Sequence, residues 1–350
     1  MRFVSYISIF LLLIACTSVS QQKKNLYSVF LEEKNLSART VLLDTALFVY
    51  PFRIRIQDSV AIMHDLHGID HYFQVFNYPE GRYLASFGRR GESPSEMLSA
   101  ENVRFRGNAL WTLDANKGEL VRFEYSLLGD SLIRQEEVTL DEKLLRVLDF
   151  VQYSDSSFII PDYSGDNRFC IVNNKGKLIH KFGTIPSLKE DVLSDVRPAL
   201  AQAWRSFIDY NPHNSVLAAV TQLGEVLEIY NLKDSTHVVR IGPHGEPEFQ
   251  IMEGHSIPTG IMGFSDVQVT DHAIYAVFHG RSFKDIAQDA RKGNDIDGGQ
   301  YIYVFSLKGE PLRKYVLDHF IYGISVDEEK NIILATDVNK DEPLLEYRLN

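Results

Sequence analysis

Cysteine is almost missing: the 350 residues contain two, Cys16 and Cys170. That excludes a disulfide-stapled scaffold and any zinc site built on paired cysteines. Tryptophan is equally scarce, with two residues, and no dense run of Lys or Arg occurs. Acidic side chains outnumber basic ones 47 to 36, for a formal charge of −11. Phosphate backbones require clustered cations, so a nucleic-acid partner is excluded. After the first fifteen residues no apolar run is long enough to cross a bilayer as a helix. Nucleophile-elbow and His-Glu-x-x-His patterns do not occur either. What remains is ordinary globular material, 45% hydrophobic and 24% charged, with 17 Tyr and 21 Phe that favour pleated, half-buried surfaces.

The opening MRFVSYISIFLLLIAC places one cation, Arg2, before a short apolar run. These are the proportions of a secretory signal peptide. Its ending, Leu13-Ile14-Ala15-Cys16, resembles a bacterial lipobox, in which Cys16 becomes the lipidated first residue. Thr17 after the cysteine favours the outer membrane by resemblance to the enteric sorting rule. Residues 1–15 therefore read as signal peptide and 16–38 as lipidated tether and linker, followed by the folded domain at 39–350. Cys170 lies in the apolar run RFCIVNN and reads as a buried structural thiol.

One pattern recurs six times: an alternating run, a polar turn, an apolar run, then often Asp. The copies end at residues 65, 114, 162, 221, 279 and 337. Five are followed by a second run–turn–run pattern, such as FCIVNNKGKLIHKFG at 169–183. Short Val-, Ile-, Tyr- and Phe-rich runs between Asp, Asn and Gly turns are strands. Four strands in each of six units make an all-β, six-bladed propeller. The sixth unit stops one strand short, and RTVLLD at 39–44 is placed to supply it, closing the ring. Helix is expected only in loops, at RPALAQAW (197–204) and KDIAQDARK (284–292).

The lipobox, the six units, FGRRGESPSEM (87–97) and IYAVFHGRSFKD (274–285) together resemble the TolB-like six-bladed propeller lipoproteins. The resemblance covers roughly residues 40–350. It implies a fold and not a reaction.

Turns within the paired patterns are tight, whereas the second-to-third-strand and blade-to-blade connections are long. In a propeller these two sets open on opposite faces, so the long-loop face is expected to carry binding residues. Arg89, Arg90, His279, Arg281 and Lys284 fall there, a set of cations suited to an anionic ligand such as a peptide carboxylate or acidic glycan. HDLHGIDH (64–71) has three histidines, but at helical spacing within an expected loop, so convergence on a metal is not implied. The strand-ending Asp65, Asp114, Asp162 and Asp337 are expected to accept turn amides, with a channel site for Ca²⁺ as the alternative. Two Gly-rich linkers end in Met97 and Phe249, which should seat in grooves between blades. The chain thus reads as a lipid-anchored envelope protein that binds a protein, peptide or glycan without catalysis or cofactor. A metal-dependent hydrolase or lyase at the channel mouth is the second reading.

Overall fold

A computed structural model describes residues 26–44, 47–107, 109–126, 131–187, 196–294 and 296–349. The lipobox and the polar stretch behind it lie outside the described residues. Six sheets stand around a central axis, and in each the first strand of a repeat is innermost. Blade one is β3 (Pro51–Gln57), β4 (Val60–Asp65), β5 (His71–Asn77) and β6 (Arg82–Arg89). Blade two is β7 (Ala100–Arg106), β8 (Ala109–Asp114), β9 (Glu119–Ser126) and β10 (Ser131–Thr139). Blade three runs from β11 (Val151–Ser154) and β12 (Ser157–Pro161) to β13 (Phe169–Asn173) and β14 (Leu178–Phe182). Blade four holds β15 (Ser206–Asn211), β16 (Val216–Thr221), β17 (Val226–Asn231) and β18 (Thr236–Ile241). Blade five holds β21 (Phe264–Val269), β22 (Ala273–Phe278), β23 (Gly299–Ser306) and β24 (Pro311–Ile321). Blade six has β25 (Ile324–Asp327), β26 (Ile332–Thr336) and β27 (Leu344–Arg348).

The strand missing from blade six comes from the other end of the chain. β2 (Arg39–Thr40) pairs antiparallel with β27, placing Arg39 opposite Glu346 and Thr40 opposite Leu345. The Val41 amide continues the ladder to the Leu344 carbonyl at 2.8 Å. Three residues later the chain passes to blade one, where the Asp44 amide bonds the Gly81 carbonyl. Gly81 is required there: its φ is +71°, and a Cβ would lie 1.9 Å from the Leu42 carbonyl oxygen.

The segment before it was expected to be linker, and its described part is packed instead. Tyr27 is buried against blade four, its amide bonded to the Ile241 carbonyl. β1 (Glu32–Leu36) adds a fifth, parallel strand to the outside of blade five. Its polar sequence suits that edge, since Glu32 and Glu33 meet Arg313 and Lys314 of the neighbouring strand at 2.6 and 3.0 Å. Residues 26–44 therefore form a belt over the outer edges of blades four, five, six and one.

Apolar faces of neighbouring blades pack on each other, as alternation requires. Between blades one and two, Phe73, Phe87, Leu110 and Phe123 enclose Met97, which is fully buried. Gly88 allows that seat, with φ +64° and no room for a Cβ beside Phe73 and the Met97 sulfur. Cys170 is buried in β13, and burial pushes its thiol up to about 12, as a structural thiol requires. Both expected helices form in loops, α1 (Arg197–Ala203) and α2 (Phe283–Arg291). A hairpin the sequence reading did not anticipate, β19 (Phe249–Met252) with β20 (His255–Pro258), rises between blades four and five.

Candidate functional site

Strand order places every first-to-second and third-to-fourth-strand turn on one face and all other connections on the opposite one. Strand-ending carboxylates hold the long-loop face together. Asp65 accepts the amides of Val49 and Tyr50 at 2.8 and 2.7 Å, and that of His67. Asp114 accepts those of Leu98 and Lys117. Each ties an incoming connection to the turn after the second strand, which is the structural role expected for these residues.

The channel is lined differently. Arg53 and Arg55 from blade one both pair with Asp266 of blade five. Arg104 of blade two bonds Asp209 of blade four at 2.6 Å and reaches Asp149 at 3.3 Å. Every carboxylate also accepts an amide of the next blade's inner strand: Asp149 from Ile208, Asp209 from Val269 and Asp266 from Ile324. Arg53 is 2% exposed and Asp266 1%, so the channel is filled by its own ion pairs at this level. The alternative of a Ca²⁺ site does not fit this chemistry, because guanidinium groups already occupy the place of a cation. The strand-ending Asp residues meanwhile bond turns.

Six connections of blades three to five line a cavity of about 470 Å³ on the long-loop face. The connection into blade three supplies Leu145, Arg146 and Leu148, and α1 supplies Pro198 and Gln202. Arg205 stands at the foot of β15. Leu223 and Met262 lie side by side, Phe283 comes from α2, and the β19–β20 hairpin forms the rim. That hairpin is fixed where the Ser256 amide bonds the Gln202 side chain at 3.2 Å. Tyr163 forms part of the wall. Its hydroxyl is buried beside the Ser206 amide, and its proton finds no acceptor. Burial, opposed by the nearby Arg205 and Arg168, pushes its pKa upward, so it stays a neutral donor.

The model of the TolB-like 6-blade propeller-like family matches residues 29–329. The chain belongs to the TolB-like propeller family. Among solved structures, a Bacteroides fragilis protein described as exported matches at 12% identity with a TM-score of 0.56, over 93% of this chain and 99% of that one. A DUF4221 family member from Bacteroides vulgatus matches at 8% identity and 0.54, over 90% and 96%. No curated protein matches. Likeness at such identities concerns the fold alone.

In this TolB-like propeller the five expected binding residues share the long-loop face but do not meet at the cavity. Arg89 is exposed and pairs with Glu96 of its own loop at 3.3 Å. Arg90 donates to the Gly68 carbonyl and lies over the Tyr72 ring. Arg281 bonds the Ile296 carbonyl at 2.7 Å and Asp289 at 2.9 Å, bracing the loop that carries Phe283. Lys284 is exposed on α2. His279 is 5% exposed, edge-on to Tyr322, and burial lowers its pKa to about 4 against the pull of Asp297. It is therefore neutral at neutral pH.

The histidine-rich segment of the TolB-like chain is likewise structural. His64 is fully buried between Phe52 and Phe73, with Nε2 3.1 Å from the Ala100 carbonyl. Among the described residues no three His, Cys, Asp or Glu side chains are grouped to hold a metal. Burial lowers the His64 pKa to about 3, and nearby Arg53 adds to it. The unfolded chain takes up that proton near pH 6.5 and the folded one does not, so stability falls as pH drops from about 6.5 towards 3. His64→Gln should flatten this dependence by about 2 kcal/mol between pH 7 and pH 5, measured from urea midpoints. An equal slope in both proteins would mean that other groups carry it.

Proposed function

We propose that this TolB-like propeller is a binding module of the cell envelope, held by a lipid on Cys16, whose ligand enters the cavity on the long-loop face. One observation carries the reading: six connections of blades three to five build one largely apolar cavity, while the channel neutralises itself. The hairpin rim adds exposed Ile251, Met252 and Ile257, an apolar margin of the kind that marks contact sites. Anchoring at the envelope is supported by Leu13-Ile14-Ala15-Cys16 at the end of the opening apolar run.

The test is site-specific photo-cross-linking in intact cells labelled with a fatty-acid reporter. A benzoylphenylalanine replacing Ile257 should give a discrete adduct, and one replacing Lys175 on the tight-turn face should not. The reporter should label the wild type and not Cys16→Ala. Adducts from Lys175 alone would reject the face, and an unlabelled wild type would reject the anchor.

A further inference from the structure

The cavity combines an apolar body with an anion-seeking end. Its wall contains Arg146, Arg205 and His255, and among the described residues no Asp or Glu, in a chain where acids outnumber bases 47 to 36. We infer that it binds a small amphipathic carboxylate, with the carboxylate held between Arg205 and Tyr163 and the hydrocarbon along Leu148, Leu223, Met262 and Phe283. This rests on the long-loop face being the binding face and adds the class of molecule it takes.

Two independent observations define the head-group end. The Arg205 guanidinium is 31% exposed, and its ion-pair partner Glu101 stands 3.9 Å away, at the outer limit of such a contact. Burial raises the Glu101 pKa against the opposing pull of Arg205. The Tyr163 hydroxyl, 92% buried with its ring, has a proton and no acceptor. Leaving such a donor unmade is costly, and a ligand oxygen would satisfy it. A carboxylate accepts from a guanidinium and a phenol at once through charge-assisted bonds. An ammonium group would be repelled, and an alcohol would leave the guanidinium unmatched.

The apolar end sets the body. Two leucines, a methionine and a phenylalanine offer surface without further polar demands, and about 470 Å³ lies within the usual range for small-molecule sites.

The experiment is calorimetric titration of the full-length mature chain with dodecanoate below its micelle concentration, beside dodecanol, dodecylamine and acetate. Dodecanoate should bind saturably at one site, with the alcohol and the amine at least about tenfold weaker. Acetate, lacking a body, should not bind. Arg205→Gln and Tyr163→Phe should each weaken dodecanoate about tenfold while leaving dodecanol unchanged, and Arg205→Lys should recover part of the loss. Equal binding of dodecanoate and dodecanol to the wild type would overturn the proposal, whether or not Arg205→Gln folds. So would displacement of dodecanoate from a site that Arg205→Gln leaves intact. If no amphiphile binds but Ile257 still cross-links, the carboxylate class is wrong and the binding face stands. If neither occurs, both readings fail.

Discussion

Deleting residues 39–44 is expected to destabilise the whole ring, not merely to shorten one end. The deletion removes Val41, 3% exposed between blades six and one, worth about 1.5–3 kcal/mol. It takes away the backbone bonds to β27 and the Arg39 guanidinium from Glu346, a carboxylate that is 4% exposed. It also strips the Asp44 bonds to blade one and uncovers the edge of β27. Several kcal/mol is a large share of the 5–15 that hold a typical domain. A fall in melting temperature of about 5–10 °C is expected, with self-association through the uncovered edge. Thermal melting and size-exclusion chromatography read both effects. An unchanged, monomeric protein would show that blade six is complete without this strand.

Asp266→Ala should be the most damaging single substitution in the channel. It leaves Arg53 buried without its counter-ion, removes a partner of Arg55 and orphans the Ile324 amide. Breaking a buried pair from one side costs about 3–5 kcal/mol, because the remaining charge stays out of water. Asp155→Ala is the control: Asp155 pairs with Arg106 at 2.7 Å but is 97% exposed, and its loss should be close to neutral. Urea denaturation compares the two, and equal costs would mean that channel burial contributes nothing. The pH dependence has a definite sign. Burial alone would raise the Asp266 pKa, but Arg53 and Arg55 outweigh it and hold the carboxyl at about 2. Its contribution is therefore complete above the unfolded value near 4 and is lost as pH falls towards 2.

The blades were legible because their signals are local. FRIRIQDSVAIMHD shows its two strands, its turn and its terminal carboxylate within fourteen residues, and the structure has β3, β4 and the Asp65 bonds in those places. The closing strand was legible because the sixth unit visibly lacked a partner for β27. β1 was not: EEKNL has no strand-like alternation, and its partner lies about 280 residues away. The channel pairs left a trace that was overlooked. Arg53, Arg104, Asp209 and Asp266 are charges inside otherwise apolar first strands, at positions facing the axis. The cavity left none, since Leu148, Tyr163, Arg205 and Met262 sit on separate loops that only blade order brings together. Loop cations were conspicuous in the sequence, yet Arg281 is matched by Asp289 within its own loop, which becomes apparent only once α2 is folded.

The belt also has a kinetic meaning. Arg39 and Glu346 are 307 positions apart, and β1 meets β24 across about 280. Bringing ends together over such a distance costs about 4 kcal/mol more loop-closure entropy than a four-residue turn. These contacts raise the contact order sharply, so the docking of the belt belongs to the late, slow part of folding. During synthesis the sheet of blade six cannot pair with β2 until residues 344–348 have been made. A chain truncated after blade five offers Arg39 and Thr40 nothing to bind, and its first and last blades keep open edges. The ring therefore locks only after residues 344–348 have joined the fold.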